Sequence, residues 1–275
     1  MSKYRTISLS ILSGKGGVGK SNLALNICYA LHQMKHPVLL IDCDMGLANM
    51  DVLLGIAPQQ HIQDILISNR NPAEVLVPIG VAGGSRFDLM PANTGMAEFV
   101  ELDAGARALL REKINPLASN YDFVCLDIGA GISATAIGFS AMTTLRIVII
   151  TPEPTSLTDS YAVMKMLSAR HKVRDFHVLV NQVESAAEGK QAYNRLSAVC
   201  KRFLGFSPAY LGEIRSDRNV TEAVRKQKPF MQLSPLSPAA VDCMAAANVL
   251  QRLRDNILRT EEVPAPLKDF AVHDF

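Results

Sequence analysis

Nine consecutive residues, Ser13-Gly14-Lys15-Gly16-Gly17-Val18-Gly19-Lys20-Ser21, put four glycines, two lysines and a terminal hydroxyl into one loop. An apolar run over residues 6–12 leads into it, and an amphipathic segment over 20–34 leaves it. Glycines at this spacing let the backbone curl so that successive N–H groups converge, and the helix N-terminus adds positive potential at the same point. That geometry suits phosphate oxygens. Lys20 is spaced to bring its ammonium to the β- and γ-phosphates, and the Ser21 hydroxyl is a magnesium ligand. A glycine-rich turn without a ligand has no need of a lysine and a serine at these offsets, directly after a strand and before a helix. Gly14, Gly16, Gly17, Val18, Gly19, Lys20, Ser21 and Asn22 are therefore the expected phosphate-side contacts.

Two acidic positions accompany the loop. Asp42 and Asp44 close the apolar run Val38-Leu39-Leu40-Ile41, and Gly46 releases the chain behind them. Carboxylates at the C-terminal edge of a strand beside such a loop can hold magnesium or orient an attacking water. Loop aspartates that merely form turns are the bland alternative, and the paired spacing argues against it. Asp127 repeats the design after Phe123-Val124-Cys125-Leu126, with Gly129 and Gly131 behind it. This is a Walker B strand followed by a loop able to respond to a γ-phosphate. Ser21, Asp42, Asp44 and Asp127 form the expected metal set.

The elements that must position these groups read as an alternation. Strands are expected at 6–12, 37–42, 86–90, 121–127, 145–150, 176–181 and 209–214. Several are continuously apolar, which indicates strands covered on both faces, as in a parallel sheet. Helices are expected at 20–34, 105–117, 156–169, 188–203, 220–226 and 238–258, the last packing through Val241, Met244, Ala245, Val249, Leu253 and Ile257. Such an order predicts an α/β fold: one doubly wound, mostly parallel sheet flanked by helices. No repeat or linker divides the chain, and Gly83-Gly84-Ser85 reads as a turn. One domain over 1–260 and an acidic, proline-containing tail over 261–275 is the expected organisation.

Composition narrows the function classes. Across 275 residues, 28 Lys+Arg stand against 26 Asp+Glu, so bulk charge announces no nucleic-acid or anionic-membrane binder. The 48% hydrophobic content excludes disorder, and no apolar run is long enough to span a bilayer. The N-terminus has no signal-peptide pattern, and the five cysteines are odd in number with no C-x-x-C pair. A cytoplasmic protein with reduced, buried thiols is expected. Histidine spacing offers no metal site, leaving magnesium as the expected metal.

Taken together, Gly-Lys-Gly-Gly-Val-Gly-Lys-Ser, Asp-x-Asp-x-Gly-Leu-Ala-Asn-x-Asp, Asp-Ile-Gly-Ala-Gly and Pro152-Glu153-Pro154-Thr155-Ser156 resemble the MinD/ParA ATPases, and within them the flagellar-number regulators FlhG/FleN. The resemblance spans roughly residues 7–258. It implies ATP and Mg2+ as ligands and a homodimer that closes face to face over two ATP molecules. Lys15 matches the second, signature lysine of a deviant Walker A loop, which reaches the partner's phosphates and acts as an arginine finger supplied in trans. Lys15, Lys20 and Asp44 are the implied catalytic residues, with Asp44 positioning water, Asp42 supporting it and Asp127 holding the magnesium shell. Asn181 matches the asparagine that reads adenine, with a strand-end cap as its bland alternative. Arg215, in a segment near the base in relatives, stands where they carry proline and is kept as a base-side candidate.

The implied output is a slow, partner-stimulated Mg-dependent ATPase switch controlling flagellar number or placement. Its protein partner would be a flagellar regulator or a GTPase. In FlhG an N-terminal activating extension stimulates a GTPase; only Met1 to Arg5 precede the first strand here, so that mode is not carried over. Peripheral attachment at the inner face of the cell membrane is the weaker reading of the tail. Leu267, Phe270, Ala271 and Phe275 make an apolar stripe, but Asp269 and Asp274 beside Lys268 and His273 would repel anionic lipid. The basic stretch Arg215, Arg218, Arg225, Lys226 and Lys228 is broken by Asp217 and Glu222, so it reads as a solvated face rather than a DNA contact. A DNA-partitioning ATPase, a metabolic ATP-dependent enzyme on the same fold and a non-hydrolysing binding module are the rival readings.

Overall fold

The computed structural model describes residues 5–82, 85–94, 101–263 and 265–269. Eight strands form one sheet: β1 Ile7–Leu12, β2 Val38–Cys43, β3 Val77–Ala82, β4 Ser85–Met90, β5 Phe123–Ile128, β6 Leu145–Ile150, β7 His177–Val183 and β8 Ala209–Arg215. Their order is β3-β4-β2-β5-β1-β6-β7-β8, and every neighbouring pair is parallel except β3–β4. The order reverses around β1, which lies between β5 and β6. The loop leaving β1 therefore opens at the crevice where doubly wound sheets take their ligands.

The helices are α1 Lys20–Gln33, α2 Met50–Leu54, α3 Ile62–Ile67, α4 Ala104–Ala118, α5 Ala134–Met142, α6 Pro154–His171, α7 Ala186–Leu204, α8 Arg218–Arg225, α9 Phe230–Leu233 and α10 Pro238–Thr260. They cover both faces. On one, Leu23, Ile27 and Leu31 of α1 and Ala247 and Leu250 of α10 pack with Ile7, Leu9, Leu40 and Cys125. On the other, Leu110 of α4, Ile137 of α5, Met164 of α6 and Leu196 of α7 pack with Leu39, Ile41, Val124 and Val148. Alternate residues of each central strand serve opposite layers, which is why β2 and β5 open on unbroken apolar runs.

Several expectations are corrected. Strand β3 was not foreseen: it is a half-exposed antiparallel edge that carries Pro78 and Gly80 and a register shift between them. Helix α5 was missed because Ala-Thr-Ala-Ile-Gly-Phe-Ser-Ala-Met is apolar around its whole circumference and shows no amphipathic period. Helices α2, α3 and α9 are too short to carry one. On α10 the buried stripe runs through Cys243, Ala246, Ala247, Leu250, Arg254 and Ile257, whereas Val241 is 49% exposed and Ala245 faces solvent. The small Cys and Ala side chains let α10 lie close against the sheet layer that α1 also covers. Of the expected tail stripe, Leu267 is 3% exposed in a non-helical segment, so it packs on the domain and faces no lipid. Phe270, Ala271, His273, Asp274 and Phe275, with Gly83 and Gly84 of the expected turn, lie outside the described residues.

Residues 265–268 run across the N-terminal edge of the sheet. Ser8 Oγ donates to Pro266 O at 2.6 Å, Asn115 and Leu267 exchange two hydrogen bonds, and the Lys268 N–H donates to Met142 O at 2.8 Å. Arg254 of α10 donates to Asp122 Oδ1 at 2.5 Å and to Arg5 O at 3.0 Å at the same edge. All five cysteines are buried and free. Among the described residues no helix is long and apolar enough to cross a membrane.

Candidate functional site

Strand β1 delivers Ser13 to the C-terminal edge of the sheet, and the loop turns into α1 at Gly19, whose φ of 85° is left-handed. Two glycines here are dictated by close approach. A Cβ on Gly14 would stand 2.1 Å from the Asp159 carbonyl carbon of α6, and one on Gly19 would stand 2.5 Å from Asn181 Nδ2. Gly16 and Gly17 have nothing within 4 Å of their missing Cβ positions, so their backbone faces open space. That space is a cleft of about 760 Å³ lined by Lys15, Gly16, Lys20, Ser21, Asn22, Asp44, Leu47 and Gly129 among others. Open N–H-bearing backbone, a lysine and a serine hydroxyl around a cleft of this size fit a nucleoside triphosphate.

Lys20 is almost buried and its Nζ donates to Asp127 Oδ1 at 2.6 Å and to Ser21 Oγ at 3.1 Å. Asp127 is fully buried at the end of β5, behind Lys20 rather than on the cleft wall, and its Oδ2 has no hydrogen-bond partner. Burial above all raises its pKa, with Lys20 and Ser21 acting the other way. Asp42 is also buried and off the cleft wall. Its carboxylate accepts from the backbone N–H of Asp44 at 3.0 Å, Asn49 at 3.3 Å and Met50 at 3.4 Å, so it folds the loop between β2 and α2 around itself. Burial, and then the neighbouring Asp127, push its pKa up to about 7. Two carboxylates this close share one lysine. An orphaned buried oxygen and a raised acid pair are what a site built for a further cation contains.

Asp44 does line the cleft. Its Oδ1 accepts from the Leu47 N–H at 3.2 Å and would lie 3.2 Å from a Cβ on Gly129, so that glycine leaves room for the carboxylate. Gly131, with φ of 93°, donates its N–H to Ser13 O at 3.0 Å and stitches the loop after β5 to the end of β1. Lys15 stands at the rim with its side chain 40% exposed. Its Nζ donates to Glu153 Oε2 at 2.6 Å and Thr155 Oγ1 at 3.3 Å, both at the start of α6. Sequence reasoning quoted Glu153 and Thr155 only as part of a motif and did not foresee this contact, which spans 138 residues.

Val18 is buried in the core and offers only its backbone, its carbonyl accepting from Asn181 Nδ2 at 2.8 Å. Asn181 and Arg215 line a second pocket of about 330 Å³ that shares Gly19 and Asn22 with the cleft. The structure thus brings the phosphate side and the base-side candidates together. The Arg215 guanidinium is engaged elsewhere, donating to both Asp242 oxygens at 2.8 Å.

A strand–loop–helix phosphate cradle at the reversal point of a parallel sheet, with two acid-tipped strands beside it, defines a P-loop nucleotide-binding protein. The chain belongs to the CobQ/CobB/MinD/ParA nucleotide binding domain family, which matches residues 9–230. It is 35% identical over 239 residues to the antiactivator FleN of Pseudomonas aeruginosa, covering 87% of this chain and 84% of that protein. It is 32% identical over 235 residues to the flagellum site-determining protein YlxH of Helicobacter pylori, covering 85% and 78%. Among solved structures, MinD in the MinC:MinD complex of Aquifex aeolicus superposes with a TM-score of 0.72 at 25% identity, covering 96% of this chain and all of that one. MinD of Pyrococcus horikoshii, solved with Mg-ADP, gives 0.72 at 21% identity over 90% and 97%, a likeness of fold. Within this family the MinD/ParA proteins are ATPases, and YlxH is a relative named for determining the flagellum site.

Proposed function

We propose that the chain is a Mg-ATP-dependent dimerising switch that hydrolyses ATP to ADP and phosphate and controls flagellar number or placement. The observation that carries this reading is Lys15: a second lysine on the phosphate loop, exposed at the cleft rim and held only by the exposed Glu153 and Thr155. A charge in that position is available to phosphates presented by a second copy of the chain, as a finger supplied in trans. The flagellar output rests on the likeness to FleN and YlxH.

In this reading ATP lies with its phosphates against Gly16, Gly17 and Lys20 and its base toward Asn181. Asp44 orients a water in line with the γ-phosphate. The water oxygen bonds to phosphorus, the bond to the β-phosphate oxygen breaks with its electron pair leaving on ADP, and the water's proton ends on the released phosphate. Lys20, and Lys15 of the second copy, stabilise the charge as it shifts. Ser21 and Asp44 would hold magnesium, with the buried Asp127 supporting its shell from behind, and the ion would neutralise charge on the β- and γ-phosphates. Asp42 acts through the loop it folds. The protein is proposed to work in the cytoplasm, with an activating protein partner; Leu267 in the core and the acidic tail give membrane attachment little support.

The test is solution mass by light scattering at matched protein concentration, with Mg-ATP and with Mg-ADP. A monomer in ADP that doubles its mass in ATP is the expected result. A mass indifferent to nucleotide overturns the switch.

A further inference from the structure

Gln182 is the one exposed residue of β7, and its φ of 59° is left-handed, a conformation that a residue with a long side chain seldom adopts. The pairing of β7 with β8 shifts register between Asn181 and Val183, so Gln182 is a bulge. In a regular strand residues 181 and 182 would point into opposite layers. Here both amides reach the same place: Asn181 Nδ2 lies 2.5 Å and Gln182 Nε2 3.9 Å from the missing Cβ of Gly19. Bulges re-aim side chains in this way, often beside functional sites.

Three other polar side chains of the pocket they share are committed elsewhere. Arg215 is clamped by Asp242, the Asp217 carboxylate accepts from the N–H groups of Asn219 at 2.9 Å and Ala239 at 3.1 Å, and Asn22 Oδ1 accepts from Asn26 Nδ2 at 2.8 Å. The Gln182 amide has no partner among the described residues and opens on the pocket. Asn181 has committed one Nδ2 hydrogen to Val18 O, which fixes the orientation of its amide.

We propose that Gln182 is a base-binding residue, reading the edge of a 6-aminopurine beside the fixed amide of Asn181. A glutamine amide offers one donor and one acceptor side by side, the complement of an exocyclic amine next to a ring nitrogen. A 6-oxopurine could satisfy the glutamine after an amide flip. The left-handed glutamine therefore adds affinity for the base rather than choosing between purines. This inference rests on the nucleotide reading above and assigns the residue that completes its base side.

Calorimetric binding of ATP, GTP and inorganic tripolyphosphate to the full chain, its Gln182→Gly variant and its Gln182→Asn variant tests the proposal, with melting temperatures alongside. Glycine suits a left-handed position, so Gln182→Gly is expected to melt no lower than the parent. Its ATP affinity should fall roughly 5- to 100-fold, the worth of a bidentate base contact, while tripolyphosphate binding stays unchanged. Asparagine tolerates the same backbone and keeps a shorter amide, so it should recover part of the loss. Unchanged ATP affinity in Gln182→Gly overturns the proposal and leaves the phosphate site standing. Parallel weakening of tripolyphosphate overturns it too, as loop disturbance. A parent chain that binds neither ATP nor GTP removes the nucleotide reading itself.

Discussion

Lys20 Nζ and Asp127 Oδ1 lie 2.6 Å apart, joining the first residue of α1 to the penultimate residue of β5 beneath the phosphate cleft. Lys20 donates to Oδ1 of a carboxylate that is otherwise sealed from water, its Oδ2 having no partner among the described residues. The pair is structural as well as chemical, because neither charge can be removed without stranding the other.

Lys20→Ala is therefore expected to abolish ATP binding and to lower stability by about 3–5 kcal/mol, the usual cost of breaking a buried ion pair from one side. Urea unfolding and ATP calorimetry check both halves. Lys20→Met with Asp127→Leu should recover most of the stability and none of the binding, since an apolar pair of similar volume leaves no charge unpaired.

Lys15 and Glu153 make the opposite kind of pair, 40% and 58% exposed, and worth under about 1 kcal/mol. Lys15→Ala should leave the melting temperature nearly unchanged and ATP still bound. The mass doubling in Mg-ATP should disappear, and light scattering reads it directly.

Asp44 sits on the cleft wall and contributes only one hydrogen bond to its own loop. Asp44→Ala should retain ATP while slowing phosphate release about 100- to 10,000-fold, the range for a positioned proton acceptor. Asp42→Ala should behave differently. It removes the acceptor of three backbone N–H groups, so thermal melting should fall along with turnover.

Two buried histidines set an acid limit. Burial lowers the pKa of His32, with Lys35 adding to the effect and Asp88 opposing it; burial likewise lowers that of His177, with Asp175 opposing and Arg146 adding. Their folded values lie below the ordinary value of about 6.5, so between the two the unfolded chain binds more protons. The histidine contribution to stability is thus full above about pH 6.5 and is lost as the pH drops toward the folded values, while Asp42, raised to about 7, acts in the opposite direction over the same range. The urea midpoint of the parent minus that of the pair His32→Gln with His177→Gln isolates the histidine part, and this difference should fall between pH 8 and 5.

Much of this architecture is legible in the residues, for local reasons. The phosphate loop is contiguous, so Ser13 through Ser21 announce it in one stretch. Strands β2 and β5 open on unbroken apolar runs bounded by turns, a pattern that survives without context. Long-range pairings leave no such mark. Nothing near Lys15 names Glu153, and nothing near Gly14 shows that the backbone of Asp159 will press against it. Asp42 and Asp44 look equivalent in sequence; only the folded loop separates the acid that anchors backbone from the acid that meets the cleft. The bulge at Gln182 is likewise invisible, because a left-handed glutamine has no compositional signature.

The fastening of both chain ends at one edge of the sheet has a geometric consequence. Ser8 is bonded to Pro266 and Arg5 to Arg254, all at the pole where the strands begin, while the phosphate cradle occupies the pole where they end. Residues 5 and 268 thus lie at the far pole, with the length of the strands between them and the cleft. A fluorophore or affinity tag carried there would report on the molecule without standing in the way of a second copy approaching the nucleotide face.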